Sequence, residues 1–461
     1  MSKEIVVLGG GPAGYVAALR AAQLGAHVTL VESREVGGTC LNRGCIPTKA
    51  LVAAVERLRL ARGAGEFGIG LGEPRVDFGA LMARKTAVVA QQRGGVEHLL
   101  KGRKVEVVAG HGRLLDAHTV RVEGGGAERD LTADAVIVAT GSRPTMLPLF
   151  DVADPRVVTS DELLELDRLP ESLAIVGGGV IGCEFASIFA ELGVSVTIVE
   201  MLDRLIAGED RRASAALTQA FRKAGIVSLV KTRVERLELA DPQRVGLVVG
   251  DGATVEAALV LVCVGRSPMS RGLGLEEAGV ELDAGGFIVT DKTQRTTLDG
   301  VFAAGDVARP PLLAHWAYRQ GAAAAENAVL GSRLAVDARL VPNAIFSHPE
   351  VASFGVSEEQ AKAENLSIVV AQVRFNGNSK AVVEGENDGY IRIIARADDR
   401  RVIGASLVGL HVTELVHELV LAAQAGLSLD DIADTIHAHP TLAEGVGEAA
   451  LGAVGRGMHT L

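Results

Sequence analysis

Two patterns of apolar residues divide the chain. Short continuous runs rich in β-branched residues recur at Ile5–Leu8, Val28–Val31, Ala133–Ala139, Leu173–Val176, Val196–Val199, Ala258–Val264 and Val301–Ala304. Such runs lack polar alternation, which predicts strands buried on both faces of parallel sheets. Helical spacing lies between them, over Tyr15–Leu24, Ala50–Arg62 and residues 75 to 101. Val105–Arg113 and Thr119–Val122 predict strands of a small separate sheet. From Val341 onward the pattern changes. His348–Ala352, Ile368–Val373, Gly389–Ile394 and Val402–Val408 predict an antiparallel sheet, followed by helices over Thr413–Ala425 and Leu429–Thr435.

The first strand runs into Gly9-Gly10-Gly11-Pro12-Ala13-Gly14, then a helix, then a strand ending at Glu32. This is the dinucleotide-binding order of strand, GxGxxG, helix, strand and acid. Gly9 serves the tight turn, Gly11 lets the backbone approach a pyrophosphate, and Gly14 lets helix and strand pack closely; Glu32 holds ribose hydroxyls. The whole unit then recurs. Gly177, Gly179, Ile181 and Gly182 lead a second helix, and a second strand ends at Glu200, all at matching spacing. Two complete fingerprints imply two dinucleotides. Because the second lies mid-chain, it belongs to a domain inserted in the first. The expected divisions are 1–144, 145–265, 266–340 and 341–461.

At 461 residues, 48% of them hydrophobic and only 3% aromatic, the chain suits several α/β units packed through Gly and Ala. A net charge of −11 argues against nucleic acid or an anionic membrane as partner. Four cysteines are too few for a disulfide-stapled secreted fold. Glycines 9 to 11 break the first apolar run too early for a signal peptide, so a cytoplasmic protein is expected.

Cys40 and Cys45 stand five apart in Gly37-Gly38-Thr39-Cys40-Leu41-Asn42-Arg43-Gly44-Cys45-Ile46-Pro47-Thr48-Lys49. On a regular helix that spacing is slightly too long for a bridge, so the segment must bend if the two are to join; Gly44 permits it. Spacing alone fits a redox pair, two structural cysteines or half a metal site. The metal reading lacks a second cysteine pair, since Cys183 and Cys263 stand singly. Near the end, His437-Ala438-His439-Pro440-Thr441-Leu442-Ala443-Glu444 places His439 on a turn that Pro440 forces. A nearby carboxylate would orient that imidazole. On composition alone, a surface turn with an incidental histidine is favoured.

GGTCLNRGCIPTKAL resembles the active-site signature of the flavin disulfide reductases with two dinucleotide-binding domains, and further motifs follow in that family's order from Ile5 to His459. The resemblance implies FAD in the first fingerprint, with Thr39, the Thr140-Gly141-Ser142 turn, Asp306 and Ala314 lining its site. The nicotinamide dinucleotide falls to the second fingerprint, which Gly265 helps to close. It also implies a Cys40–Cys45 redox disulfide, Cys40 exchanging with substrate and Cys45 facing the flavin. Lys49 and Glu184 match the pair beside the flavin and nicotinamide, and His439 and Glu444 match the catalytic acid–base pair. The C-terminal region is the family's homodimer interface, across which His439 would reach the other subunit's disulfide. No metal is implied. Met269 stands where the family usually has Asn, and Trp316, Tyr318 and Arg319 are bulkier than usual.

Glu200 bonds a 2′-hydroxyl and repels a 2′-phosphate, which favours NAD over NADP. Arg204 is the one arginine close after it. The resemblance is therefore strongest to the branch that oxidises dihydrolipoyl groups with NAD. Its partners would be the lipoyl domain of an acyltransferase or the carrier protein of glycine cleavage. A glutathione- or mercuric-reductase-like enzyme is the alternative within the family. A NADH diaphorase, or a flavin-binding scaffold without turnover, stands outside that chemistry.

Overall fold

The structure, a computed structural model, describes residues 2–124, 128–250 and 252–459. Its first sheet is parallel and five-stranded. In spatial order it runs Val301–Ala303, Ala135–Val138, β1 (Glu4–Leu8), β2 (His27–Glu32) and β3 (Glu106–Ala109). Val7, Leu30 and Ile137 are fully buried in it, each worth about 1.5–3 kcal/mol in apolar burial. The helix α1 (Pro12–Gln23) covers one face through Ala13, Ala17, Ala18 and Ala21. It crosses the helix Ala314–Leu330 so closely that a Cβ at Gly321 would lie 2.2 Å from the Ala13 carbonyl oxygen. Small residues at the crossing make that approach possible.

α1 begins at Pro12, three residues before the helical spacing becomes visible. Gly14 therefore lies inside the helix rather than in the turn, and Pro12 takes the first helical position, where its missing N–H costs nothing. The expected helix from Ala50 likewise begins earlier, at Cys45. A short α2 (Gly38–Arg43) and a long α3 (Cys45–Gly63) are separated by Gly44 alone. α4 (Phe78–Gly102) packs beside them.

A second parallel sheet of five strands lies within the chain between Val138 and Val301. Its order is Val227–Leu229, Ser195–Val199, Ser172–Val176, Leu259–Val262, Val157–Val158. Both chain crossings between the two sheets run through one antiparallel ribbon, Ser142–Pro144 with Arg266–Pro268. The third sheet is antiparallel, ordered Asn343–Ile345, Glu350–Gly355, Val402–Gly409, Tyr390–Arg396, Ile368–Arg374. The helices Val412–Ala425 and Glu444–Ala453 pack on it. Among the described residues no helix is long and apolar enough to cross a membrane.

Candidate active site

Gly44 interrupts the helix between the two cysteines with φ −145° and ψ −110°. Cys40 thus rides on α2 while Cys45 opens α3, and the bend expected of the segment is present. Both are free thiols in this structure. They are hydrogen-bonded to each other, and that bond splits their acidities. Cys45 is pulled down to about 7, first by the bond from Cys40 and then by the Lys49 charge, against burial and the Glu184 carboxylate. Cys40 is pushed well above the usual thiol range by the same bond and by burial. The inner cysteine is the one held ready as a thiolate.

Lys49 follows Cys45 by four residues, hence on the same side of α3. Its Nζ donates to both carboxylate oxygens of Glu184, at 2.8 Å each. Glu184 sits in the first turns of the helix Val180–Glu191 with a side chain 6% exposed. It also accepts the backbone N–H of Phe346 at 3.0 Å, and the Phe346 ring lies 4.4 Å from Lys49 Nζ. Glu184 is joined to Lys49 across 135 residues, as expected; Phe346 was not anticipated, and nothing local in the sequence marks it.

The two fingerprint turns share one frame. A Cβ on Gly14 would fall 1.8 Å from the Gly9 carbonyl oxygen, and one on Gly182 would fall 2.0 Å from that of Gly177. Gly9 and Gly177 have φ of +97° and +114°, so glycine is required there. At Gly11 the nearest atom to such a Cβ is Gly38 Cα at 3.8 Å, and at Gly179 nothing lies within 4 Å. The protein itself gives no steric reason for glycine at these two positions. Both N-cap a helix whose first amides have no side-chain cap. A methyl there would project into the space an anionic pyrophosphate would take, so the residues fit bound dinucleotides.

Glu32 accepts amides from Gly10 at 2.6 Å and Arg34 at 2.7 Å; Glu200 accepts them from Gly178 at 2.6 Å and Leu202 at 2.7 Å. Each carboxylate is thereby aimed at the mouth of its turn with lone pairs to spare for ribose. Arg204 is engaged elsewhere, with Asp203 at 3.2 Å, Glu359 at 3.3 Å and the Ala207 carbonyl. It is not a free guanidinium beside Glu200.

Of the remaining residues expected around a flavin, Ser142 and Asp306 are joined directly. Ser142 Oγ donates to Asp306 at 2.5 Å and accepts from Arg266 Nε at 2.7 Å. Thr140 Oγ1 donates to the Met269 carbonyl, and the Met269 amide donates to the Gly141 carbonyl. The Asn-to-Met departure is thus accommodated, because the backbone makes both bonds. Gly265, at φ +125°, accepts the Thr145 amide at 3.0 Å and steers the chain into the ribbon. Ala314 begins a 17-residue helix without a side-chain cap, leaving its amides open. Thr39 and Ile181 stand in the first turns of α2 and of the helix Val180–Glu191. Trp316 is buried beside Leu313 and Val336, whereas Tyr318 meets Tyr15 edge-on with centroids 5.9 Å apart.

His439 Nδ1 lies 2.9 Å from Glu444 Oε1. The Thr441 amide donates to the other oxygen at 2.8 Å and is the first cause of a lowered Glu444 pKa, with His439 adding to it. The imidazole is 71% exposed. The Lys49 charge acts on both of the chain's own thiols, and the Glu184 charge on Cys45. His437 is turned instead toward Glu418, at 2.9 Å, and toward the Thr435 carbonyl.

The family model described as pyridine nucleotide-disulphide oxidoreductase matches residues 3–321, and its dimerisation domain matches residues 341–450. The chain belongs to the pyridine nucleotide-disulphide oxidoreductase family. It is 40% identical to a dihydrolipoyl dehydrogenase of Geobacillus stearothermophilus, over 99% of this chain and 97% of that one. It is 41% identical to one of Bacillus subtilis, with the same coverage. Among solved structures, LpdA of Mycobacterium tuberculosis superposes with a TM-score of 0.92 at 31% identity, covering 97% of this chain and 99% of that one. The HOCl-induced flavoprotein disulfide reductase RclA of Escherichia coli gives 0.86 at 29%, covering 96% and 98%. In pyridine nucleotide-disulphide oxidoreductase terms, the first two sheets carry the nucleotide-binding part and the third the dimerisation domain.

Proposed function

We propose that the chain is a dihydrolipoyl dehydrogenase, oxidising protein-bound dihydrolipoyl groups with NAD⁺ in the cytoplasm as a homodimer. One observation carries the reading: the Cys40–Cys45 pair lies within reach of the Lys49 and Glu184 charges, beside a second fingerprint closed by Glu200 with Arg204 tied away. Overall identity to dihydrolipoyl dehydrogenases supports it. The divisions 1–144, 145–265, 266–340 and 341–461 fit the ribbon through which the chain leaves and re-enters the first sheet.

The chain's residues divide the work. His439 of the partner subunit, held by Glu444, takes the proton of a dihydrolipoyl thiol. The resulting thiolate attacks Cys40 Sγ of the Cys40–Cys45 disulfide, and Cys45 leaves as a thiolate stabilised by Lys49. The second substrate thiol then displaces Cys40, which leaves protonated by His439, and the lipoyl group departs oxidised. Bound FAD supplies the two-electron step from this dithiol to NAD⁺. The lipoyl carrier is the lipoyl domain of an acyltransferase or a glycine cleavage carrier protein.

The test is anaerobic reduction of the purified protein by dihydrolipoamide, followed by NAD⁺ or NADP⁺. Bleaching of the flavin and formation of NADH without NADPH is expected. A bound flavin that dihydrolipoamide leaves oxidised would overturn the assignment.

A further inference from the structure

We propose that Phe346 is a positioning residue for the nicotinamide half of the reaction, its ring and backbone amide holding the Lys49–Glu184 pair in place. The inference rests on the dehydrogenase reading and deepens it. Lys49 comes from the first domain, Glu184 from the second, and Phe346 from the segment that opens the third sheet. Phe346 touches both partners of the pair: its N–H reaches Glu184 Oε1 at 3.0 Å, and its ring faces Lys49 Nζ at 4.4 Å. Two residues on, the His348 amide donates to Ser187 Oγ at 3.0 Å, about one helical turn past Glu184. The segment 346–348 therefore runs alongside the first turns of the helix Val180–Glu191 and is fastened to it twice.

The ring has a physical task. An ammonium on four rotatable bonds, such as that of Lys49, has many alternatives to a bidentate grip. An aromatic face restricts those alternatives by attracting the cation. Glu184, at 6% exposure, needs all three of its hydrogen bonds, two from Lys49 Nζ and one from the Phe346 amide, because a buried carboxylate short of partners is costly. The same two charges act on Cys45 in opposite directions, so their effects on that thiol partly offset when the pair shifts together. Its role is exerted through Lys49 and Glu184.

Phe346→Leu removes the ring and keeps the amide; Phe346→Tyr keeps both. In the holoenzyme, acetylation of Lys49 by acetic anhydride is read by mass spectrometry against exposed Lys101, and stopped-flow absorbance gives the rates of reduction by NADH and by dihydrolipoamide. Phe346→Leu is expected to raise Lys49 labelling and slow the NADH step, each by about five- to tenfold, with the dithiol step changed by less than about twofold. Phe346→Tyr is expected to restore both. Unchanged labelling with an unchanged NADH rate overturns the proposal. So does an equal loss in both half-reactions with a lowered Tm, which is the signature of a merely structural residue. The labelling and NADH measurements need no dithiol, so they stand even if dihydrolipoamide proves not to be the substrate.

Discussion

The first and second nucleotide-binding halves superpose in their chemistry almost atom for atom. A Cβ on Gly9 would meet the Ala139 carbonyl oxygen at 2.4 Å, and one on Gly177 would meet that of Cys263 at 2.5 Å. The acids Glu32 and Glu200 take matching amides at matching distances. The halves part company just past the last glycine. Tyr15 and Val16 follow Gly14; Cys183 and Glu184 follow Gly182. The shared frame can only hold a dinucleotide. What is done with it is decided by the next residues: Glu184 extends the second half to Lys49, while Val16 offers nothing ionic in the first.

The frame itself gives the largest test. Gly14→Ala drives a methyl into a backbone oxygen beneath the first core, and is expected to cost about 3 kcal/mol or more, lowering Tm by roughly 6–12 °C with loss of bound flavin. Gly182→Ala makes the same clash in the inserted half. It is expected to keep the flavin and its reduction by dithiol while losing NAD⁺ reduction. Calorimetry, flavin content and the two half-reactions separate these outcomes. If Gly182→Ala also releases the flavin, the halves are not independent.

Next comes the residue at which the halves differ. Glu184→Gln leaves Lys49 without its counter-ion. A slowing of the NADH step by about 10²-fold is expected, with destabilisation of about 3 kcal/mol. The matching Val16→Ala should cost about 1–2 kcal/mol and spare the NADH step. Stopped-flow reduction and urea unfolding measure both.

The smallest effect concerns the thiols. Cys45 is held near 7, below the ordinary thiol value, so its stabilisation as thiolate is complete above about pH 9 and is lost as pH falls through about 7. In the second half burial pushes Cys263 up to about 12, and Cys183 is raised too, also by burial. Iodoacetamide at pH 8 should therefore label the Cys40–Cys45 pair in the reduced protein and spare Cys183 and Cys263, as peptide mass mapping would show. Lys49→Met should move the Cys45 midpoint upward.

Much of this organisation is legible in the sequence because it is local. Apolar runs mark the buried strands, and the spacing of Gly9, Gly11 and Gly14 marks the turn. The true helix starts at Pro12 and Cys45 are hidden, because Gly14 and Pro47 read as breakers although each sits in a first turn. Gly44 was legible as a bend, but not as the only residue between two helices. Contacts across long separations are the least visible. The 162 residues between Glu184 and Phe346 carry no periodic signal, and the Met269 departure makes sense only once its backbone bonds are seen.

One feature of the first sheet bears on how the chain is made. The strand Ala135–Val138 is flanked on one side by Val301–Ala303, which follows it by roughly 160 residues. At the pace of a ribosome that interval is about 10–30 s. Throughout it the nascent first domain presents an unpaired, wholly apolar strand edge, the kind of surface that recruits chaperones or recombines wrongly. The inserted domain, complete in itself, is free to fold meanwhile. The domain that begins first is therefore finished after its guest.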